Sequence, residues 1–391
     1  LGGSLQIDRT TISGSTALDG AGIYSVGQLA IADSRFESNL ATRHGGAIQA
    51  YRELTASSVT FVDNSATDAG GAVRVFHAYA AVFQDCSFTG NVSGVDGGGI
   101  YIRNGRSCEI TGSTFDQNRA EASGGAVYLY DGSLIVEGSL FLSNSARDYG
   151  GAIWSARTST LARCTFELNS TDVYDGGALG ASGKTMVVDS VFRSNTAARN
   201  GGAIVNNTGG LWIGSTMFED NTASSGDGGA IRQGQGTIVN STFQGNCAGG
   251  RGGAILMADD KYESEILGCL LQNNQAGTDG SGTGGGIWTN QRRVAITGTT
   301  IRDNATDDDG GGIYVSEGLL ALTNSLVARN IATNGRAGGI WVANTAELAV
   351  ANSTISGNLS KNAGGGIYFN SNTNRAALVN ATITANRADR L

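Results

Sequence analysis

Proline is missing from all 391 residues, and charged residues are scarce at 15%. With 61 glycines but no proline, a collagen triple helix is excluded, because its Gly-X-Y turns depend on proline. A hydrophobic content of 40% is too high for a flexible linker or a disordered segment, and it allows a large but thin core. Only three of the 26 basic residues are Lys and none of them cluster in a run. With a net charge of −8, this argues against nucleic acid or an anionic membrane surface as partner. No stretch of eighteen apolar residues is present that could cross a membrane as a helix. The five cysteines, Cys86, Cys108, Cys164, Cys247 and Cys269, are odd in number and lack CxxC spacing, which speaks against a metal site or a complete disulfide framework. The chain starts at Leu1 with no initiator Met or signal-like segment and stops at "ANRADRL" inside a repeat, so it reads as a processed product or a piece of something longer.

What is present is a repeat of about 26 residues covering the whole chain. Its first anchor is an apolar residue three places before an asparagine: Ile12, Phe36, Phe61, Phe88, Phe115, Phe141, Phe166, Phe192, Phe218, Phe243, Leu271, Ile301, Val327, Ile355 and Ile383. Its second anchor follows a glycine pair, as at Ile48, Val73, Val127 and Ile313. Alternating apolar pairs such as Leu134 and Val136 precede each copy. Runs of four to six residues with period 2, and no 3.6-residue pattern, mean strands without helices. Three short strands per copy, repeated without hairpin signals, predict an all-β fold: a right-handed single-stranded parallel β-helix of about 15 coils. It is read as one domain, 1–391, with lengthened irregular loops around 257–284.

Each register column then becomes a stack of like side chains along the coils. Ser34, Cys86, Ser113, Ser139, Cys164, Ser190, Ser241, Cys269 and Ser325 share the inward parity of the anchor, so three cysteines stand in for an internal serine and are expected as buried, inert thiols. One place earlier, Asp33, Asp85, Gly112, Gly138, Asp189, Asn240 and their equivalents tolerate the left-handed or Asx-turn geometry of a corner. The asparagine occupies fourteen of fifteen copies, with Ser15 in the first; an amide is donor and acceptor at once, so stacked copies can bond one another continuously. Asn118→Ala is expected to cost about 1–3 kcal/mol by orphaning buried partners. The glycine pair precedes Ala or Gly in register, with Ala337, Gly338 and Gly339 shifting the order slightly, and marks a sharp corner. A phosphate cradle would run once from a strand into a helix, whereas this pair recurs in copy after copy with no helix following.

The FxxN and GGAI elements, at Phe36–Asn39 with Gly45–Ile48, Phe61–Asn64 with Gly70–Val73, and Phe115–Asn118 with Gly124–Val127, resemble the repeat region of the chlamydial polymorphic outer-membrane proteins. That resemblance implies a secreted β-helical passenger, an adhesin displayed by an autotransporter barrel. The chain departs from the family in having no C-terminal pattern of ten-residue barrel strands.

Catalysis on such coils would need paired carboxylates, or a cation cluster with a basic partner, on neighbouring coils of one face. Asp307, Asp308 and Asp309 share one turn and are expected as solvated turn acids, with a cation site as the sharper alternative. The stretch 257–284 carries Asp259, Asp260, Lys261, Glu263, Glu265 and Asp279 and is the first place to look for a hidden active site. His44 and His77, the only histidines, occupy different places in their copies, which speaks against a histidine relay. No catalytic residue, metal ligand or cofactor is assigned.

The strongest functional signal is aromatic. Directly after the inward Ile, the side chain should point outward, and there stand Tyr101, Tyr128 and Trp154 on consecutive coils, then Trp288, Tyr314, Trp341 and Tyr368. They are expected as two exposed ladders, either bracing the sheet or forming a flat binding surface. On the binding reading, replacing the last four by Ser abolishes binding and leaves the fold unchanged. The leading functional expectation is an extracellular or cell-surface adhesin or structural element. Its partner would be a host or cell-surface protein, a glycan or further copies of itself. A polysaccharide lyase or hydrolase and an end-to-end stacking filament subunit are the alternatives. Of eight N-x-S/T sequons, Asn91, Asn169, Asn304 and Asn358 belong to the asparagine column and are expected to be inaccessible, whereas Asn240, Asn352 and Asn380 sit at corners.

Overall fold

The computed structural model describes residues 3–277, 280–343, 345–370 and 375–389. The chain divides into two compact units, Leu1–Met186 and Val187–Leu391. Seven coils, anchored from Ile12 to Phe166, make the first; eight, anchored from Phe192 to Ile383, make the second. No helix occurs among the described residues.

The coil from Val127 illustrates the plan. Its strands are Val127–Leu129, Ser133–Glu137, Leu140–Leu142 and Ser145–Ala146, each pairing in parallel with its counterpart one coil on: Val127 with Ile153, Leu134 with Ser159, Phe141 with Phe166, Ser145 with Ser170. The first two strands share a bent sheet, so the coil contributes to three parallel sheets. In the second unit that bend runs through unbroken in Ile204–Gly214 and Ile231–Val239. The alternation read from the sequence is the observed alternation of burial: Phe141 is buried between half-buried Leu140 and Leu142. In the first unit, Phe61, Phe88, Phe115, Phe141 and Phe166 stack with centroids 4.6 to 4.8 Å apart. Each buried ring stabilises by about 1.5–3 kcal/mol through area alone, and offset stacking adds to it.

The predicted asparagine ladder is present. Asn118 Oδ1 accepts from the backbone N–H and the Nδ2 of Asn91, while its own Nδ2 donates to the carbonyl of Phe88 and to Asn144 Oδ1. The serine column forms a second ladder: Ser139 Oγ accepts the N–H of Ser113 and donates to the carbonyl of Glu137. Cys269 holds that place in the second unit, its sulfur accepting the N–H of Ser241. Burial pushes the thiols of Cys86, Cys164 and Cys269 up to about 11 each, which keeps them protonated and unreactive at neutral pH.

Corners fall where the sequence placed them, with one addition. The column before the serine is left-handed throughout, from Asp33 (φ 46°) and Asp85 (52°) to Asn352 (48°) and Asn380 (51°). A second left-handed column, which residue types do not mark, stands directly before the asparagine; it includes Leu168 (57°) and Arg329 (53°). Such residues cost about 1–2 kcal/mol each in that region. The adjoining asparagine's bonds to the neighbouring coil fix the turn in spite of that cost.

The two corner glycines have separate causes. Gly124 is left-handed (φ 65°) and a Cβ there would meet the carbonyl oxygen of Val127 in its own corner, whereas a Cβ on Gly125 would collide with the carbonyl oxygen of Gly151 in the next coil. The same division corrects the expectation of a shifted order at 337–339: Ala337 takes the left-handed place (φ 56°) and Gly338 the close approach. Ala337 shows that the left-handed place can take a methyl group, so Gly124→Ala is expected to cost about 1–2 kcal/mol and Gly125→Ala at least about 2 kcal/mol. Denaturant titration of both variants checks the order, and equal midpoints would refute the division.

Candidate binding face

The outward column after the inward Ile forms in register. Tyr101, Tyr128 and Trp154 pair coil to coil and stack at 5.1 and 4.6 Å, their planes 6° and 12° apart. In the second unit Trp288, Tyr314, Trp341 and Tyr368 stack at 6.3, 5.8 and 4.7 Å. Their expected exposure is corrected. Tyr101, Trp288 and Trp341 are only 7%, 6% and 2% exposed. Tyr128, Trp154, Tyr314 and Tyr368 are half-buried. The residues just before the corner lie over the rings. Arg251 sits 4.3 Å above Trp288 and pairs with Asp227; Arg336 sits 4.4 Å above Trp341 and 5.1 Å above Tyr368 and pairs with Asp309. Burial raises the phenols of Tyr101, Tyr128 and Tyr314 above their ordinary value, so all three stay protonated.

A second outward column, with half-buried Tyr51 and Phe76 and exposed Tyr130, lies two residues further along. In the first unit Tyr51, Phe76, Arg103 and Tyr130 occupy one outward column, Phe76 in register with Arg103. Tyr24 meets Tyr51 at 5.5 Å, and Tyr51 meets Phe76 edge-on at 5.8 Å. Arg103 lies 5.2 Å over Tyr130, and Arg106 lies 4.5 Å over Tyr79. Arg74 joins the two columns, 4.8 Å over Phe76 and 5.7 Å over Tyr101, with one nitrogen donating to Gln49 Oε1. Burial holds its guanidinium below the ordinary value. Tyr24, Tyr79 and Tyr130 remain 53%, 60% and 44% exposed. The sequence carries a signal for this strip, since Tyr51, Phe76 and Tyr130 all stand three places after the inward Ile or Val. Beside the strip lies a cleft of about 320 Å³ lined by Gln28, Tyr51, Arg52, Glu53, His77 and Tyr79.

The acidic candidates serve the backbone. Asp309 Oδ1 accepts the N–H of Arg336 at 2.7 Å and is buried beneath that residue's side chain, so it is not the solvated turn acid expected. Burial raises the carboxyl of Asp308. In the 257–284 stretch, Asp259 accepts the N–H of Lys261, and Glu263 lies 3.6 Å from Arg292; Asp279 falls outside the described residues. Among the described residues, no three His, Cys, Asp or Glu side chains converge as a metal site. Half-buried His44 has Nδ1 3.9 Å from Asp68, and burial followed by the charge of Arg74 holds its pKa low. Exposed His77 is left-handed (φ 58°) and meets Phe76 at 4.1 Å. In the first unit Asp96, whose Oδ1 accepts the N–H of Ser123, is pushed up to about 6 by burial. The sequon asparagines of the ladder are fully buried, and Asn240, Asn352 and Asn380 are exposed at left-handed corners.

No curated protein and no solved structure matches the chain. The family described as the right-handed β-helix region matches it in overlapping stretches, residues 2–170, 91–243, 175–355 and 230–389. With parallel coils, stacked inward columns and this match along nearly the whole length, the chain belongs to the right-handed β-helix family.

Proposed function

We propose that the chain is a binding element of a secreted or cell-surface protein, engaging a surface ligand in the manner of an adhesin. The family holds both pectate-lyase-like and adhesin-like members. The observation that supports the adhesin-like reading is the strip of the first unit, where Tyr24, Tyr51, Phe76 and Tyr130 alternate with Arg74 and Arg103 on one outward face. Rigid rings offer contact area at low entropic cost, and guanidinium groups add directional donors, the composition found at the centre of binding surfaces. Half-buried Tyr128 and Trp154 extend the same surface. The resemblance of the FxxN and GGAI repeats to the chlamydial-type passenger adds a display setting outside the cell.

The test is retention of the full chain on immobilised neutral and acidic polysaccharides and on purified extracellular proteins. A Phe76→Ser, Tyr130→Ser double variant is expected to bind at least about tenfold more weakly with an unchanged circular dichroism spectrum. Undiminished retention of that variant would overturn the reading. Release of cleaved sugar by the wild type would favour the enzyme alternative instead, and concentration-dependent polymer growth the filament.

A further inference from the structure

We infer that the cleft walled by Tyr51 and Tyr79 is a subsite for a neutral pyranose oligosaccharide, an inference that rests on the binding reading above. Its volume of about 320 Å³ lies at the small end of ligand clefts, ~300–1,000 Å³, which suits a short saccharide segment and not a folded partner. The lining is of two kinds. Tyr51 and Tyr79 are aromatic walls on consecutive coils, and Tyr79 is held by the guanidinium of Arg106 on its ring at 4.5 Å, so its exposed phenol is a braced platform. Gln28, Arg52, Glu53 and His77 supply donors and acceptors at the rim, with Gln28 Nε2 donating to the Glu53 carboxylate and so orienting it.

A pyranose has the complementary anatomy: flat C–H faces that lie on rings, and an edge of vicinal hydroxyls that both donate and accept. Arg and carboxylate side chains present paired atoms that match two adjacent hydroxyls. The charges of Arg52 and Glu53 oppose each other within the cleft, so an uncharged ligand is matched, whereas the carboxylate of an acidic sugar would have to approach Glu53. A purely apolar ligand would strand the rim groups without partners.

The experiment is isothermal titration of the full chain with neutral β-1,4-glucose, β-1,4-N-acetylglucosamine and α-1,4-galactose tetrasaccharides, and with α-1,4-galacturonate tetrasaccharide as the acidic arm. At least one neutral ligand is expected to bind and the acidic one to bind more weakly. Tyr79→Ser should weaken binding about tenfold or more, Tyr79→Phe should restore it, and Glu53→Gln should produce a smaller loss. Tyr79 is exposed, so an unchanged melting curve is the fold control. Equal binding by wild type and Tyr79→Ser, no neutral ligand bound, or a preference for the galacturonate would each overturn the inference. Loss of surface retention in the Phe76, Tyr130 double variant alongside unaffected saccharide binding in Tyr79→Ser would end the cleft assignment and leave the binding face standing. The converse pair of results would end the face and leave the cleft.

Discussion

Trp341→Ala is expected to destabilise the second unit by about 3–5 kcal/mol, the range for emptying a buried large aromatic site. The indole is 2% exposed, with Tyr314 at 5.8 Å on one face and Tyr368 at 4.7 Å on the other. Arg336 lies 4.4 Å over it while pairing with Asp309. Truncation therefore removes contacts to two rings and a cation and leaves a gap that parallel strands, pinned coil to coil, cannot close. From the sequence the side chain points into solvent, and a fourfold replacement of Trp288, Tyr314, Trp341 and Tyr368 by Ser leaves the fold intact. Burial reverses that expectation, and the fourfold variant should fail to fold its second unit. Denaturant midpoints and near-ultraviolet circular dichroism check this. An unchanged midpoint for Trp341→Ala would show that the stack contributes nothing. Exposed Tyr130→Ala is the contrast, expected within about 0.5 kcal/mol of wild type.

Asn118→Ala should cost about 2–6 kcal/mol, above the roughly 1–3 kcal/mol expected from the sequence because the amide serves more than one neighbour. Asn118 is fully buried, and its amide is shared by three coils. Its oxygen takes the N–H of Asn91 at 3.1 Å and the Nδ2 of Asn91 at 2.9 Å, and its Nδ2 serves the Phe88 carbonyl at 2.9 Å. Two donors and two acceptors lose a partner, but Asn91 Nδ2 keeps the Phe61 carbonyl and Asn144 Oδ1 keeps the backbone N–H of residue 118, so two groups are left short at about 1–3 kcal/mol each. Because a solenoid's stability is close to a sum of coil and neighbour terms, the damage should be local. Hydrogen exchange is expected to accelerate most at the amides of Asn91 and Asn118 and least at distant coils of the first unit. Protection equal to wild type at Asn91 would refute the shared-amide account.

Much of this architecture was legible because its determinants are short in sequence and multiply repeated. Phe115 and Asn118 are three residues apart in one strand–turn unit, so parity and turn chemistry place one in the core and the other in the ladder. The first left-handed corner announced itself through Gly, Asp and Asn. The second did not, because Leu168 and Arg329 carry no turn signal and are held left-handed by the asparagine that follows. The two glycines looked like one corner until the carbonyl of the next coil separated their roles.

The serine ladder came with the structure, whereas the coil count, the inward columns, the asparagine ladder and the register of the aromatic stacks were all legible in the residues alone. All of these follow from period 2 within a strand and from a repeat that sets like beside like. Which outward residues meet solvent is settled by packing between coils. Exposure depends on how far the corner segments reach across the sheet, and that placed Arg251 and Arg336 over Trp288 and Trp341 while leaving Tyr79 and Tyr130 open. The cleft beside Tyr51 likewise has no counterpart in the repeat, because it is lined by bends of neighbouring coils that differ in length and side chains.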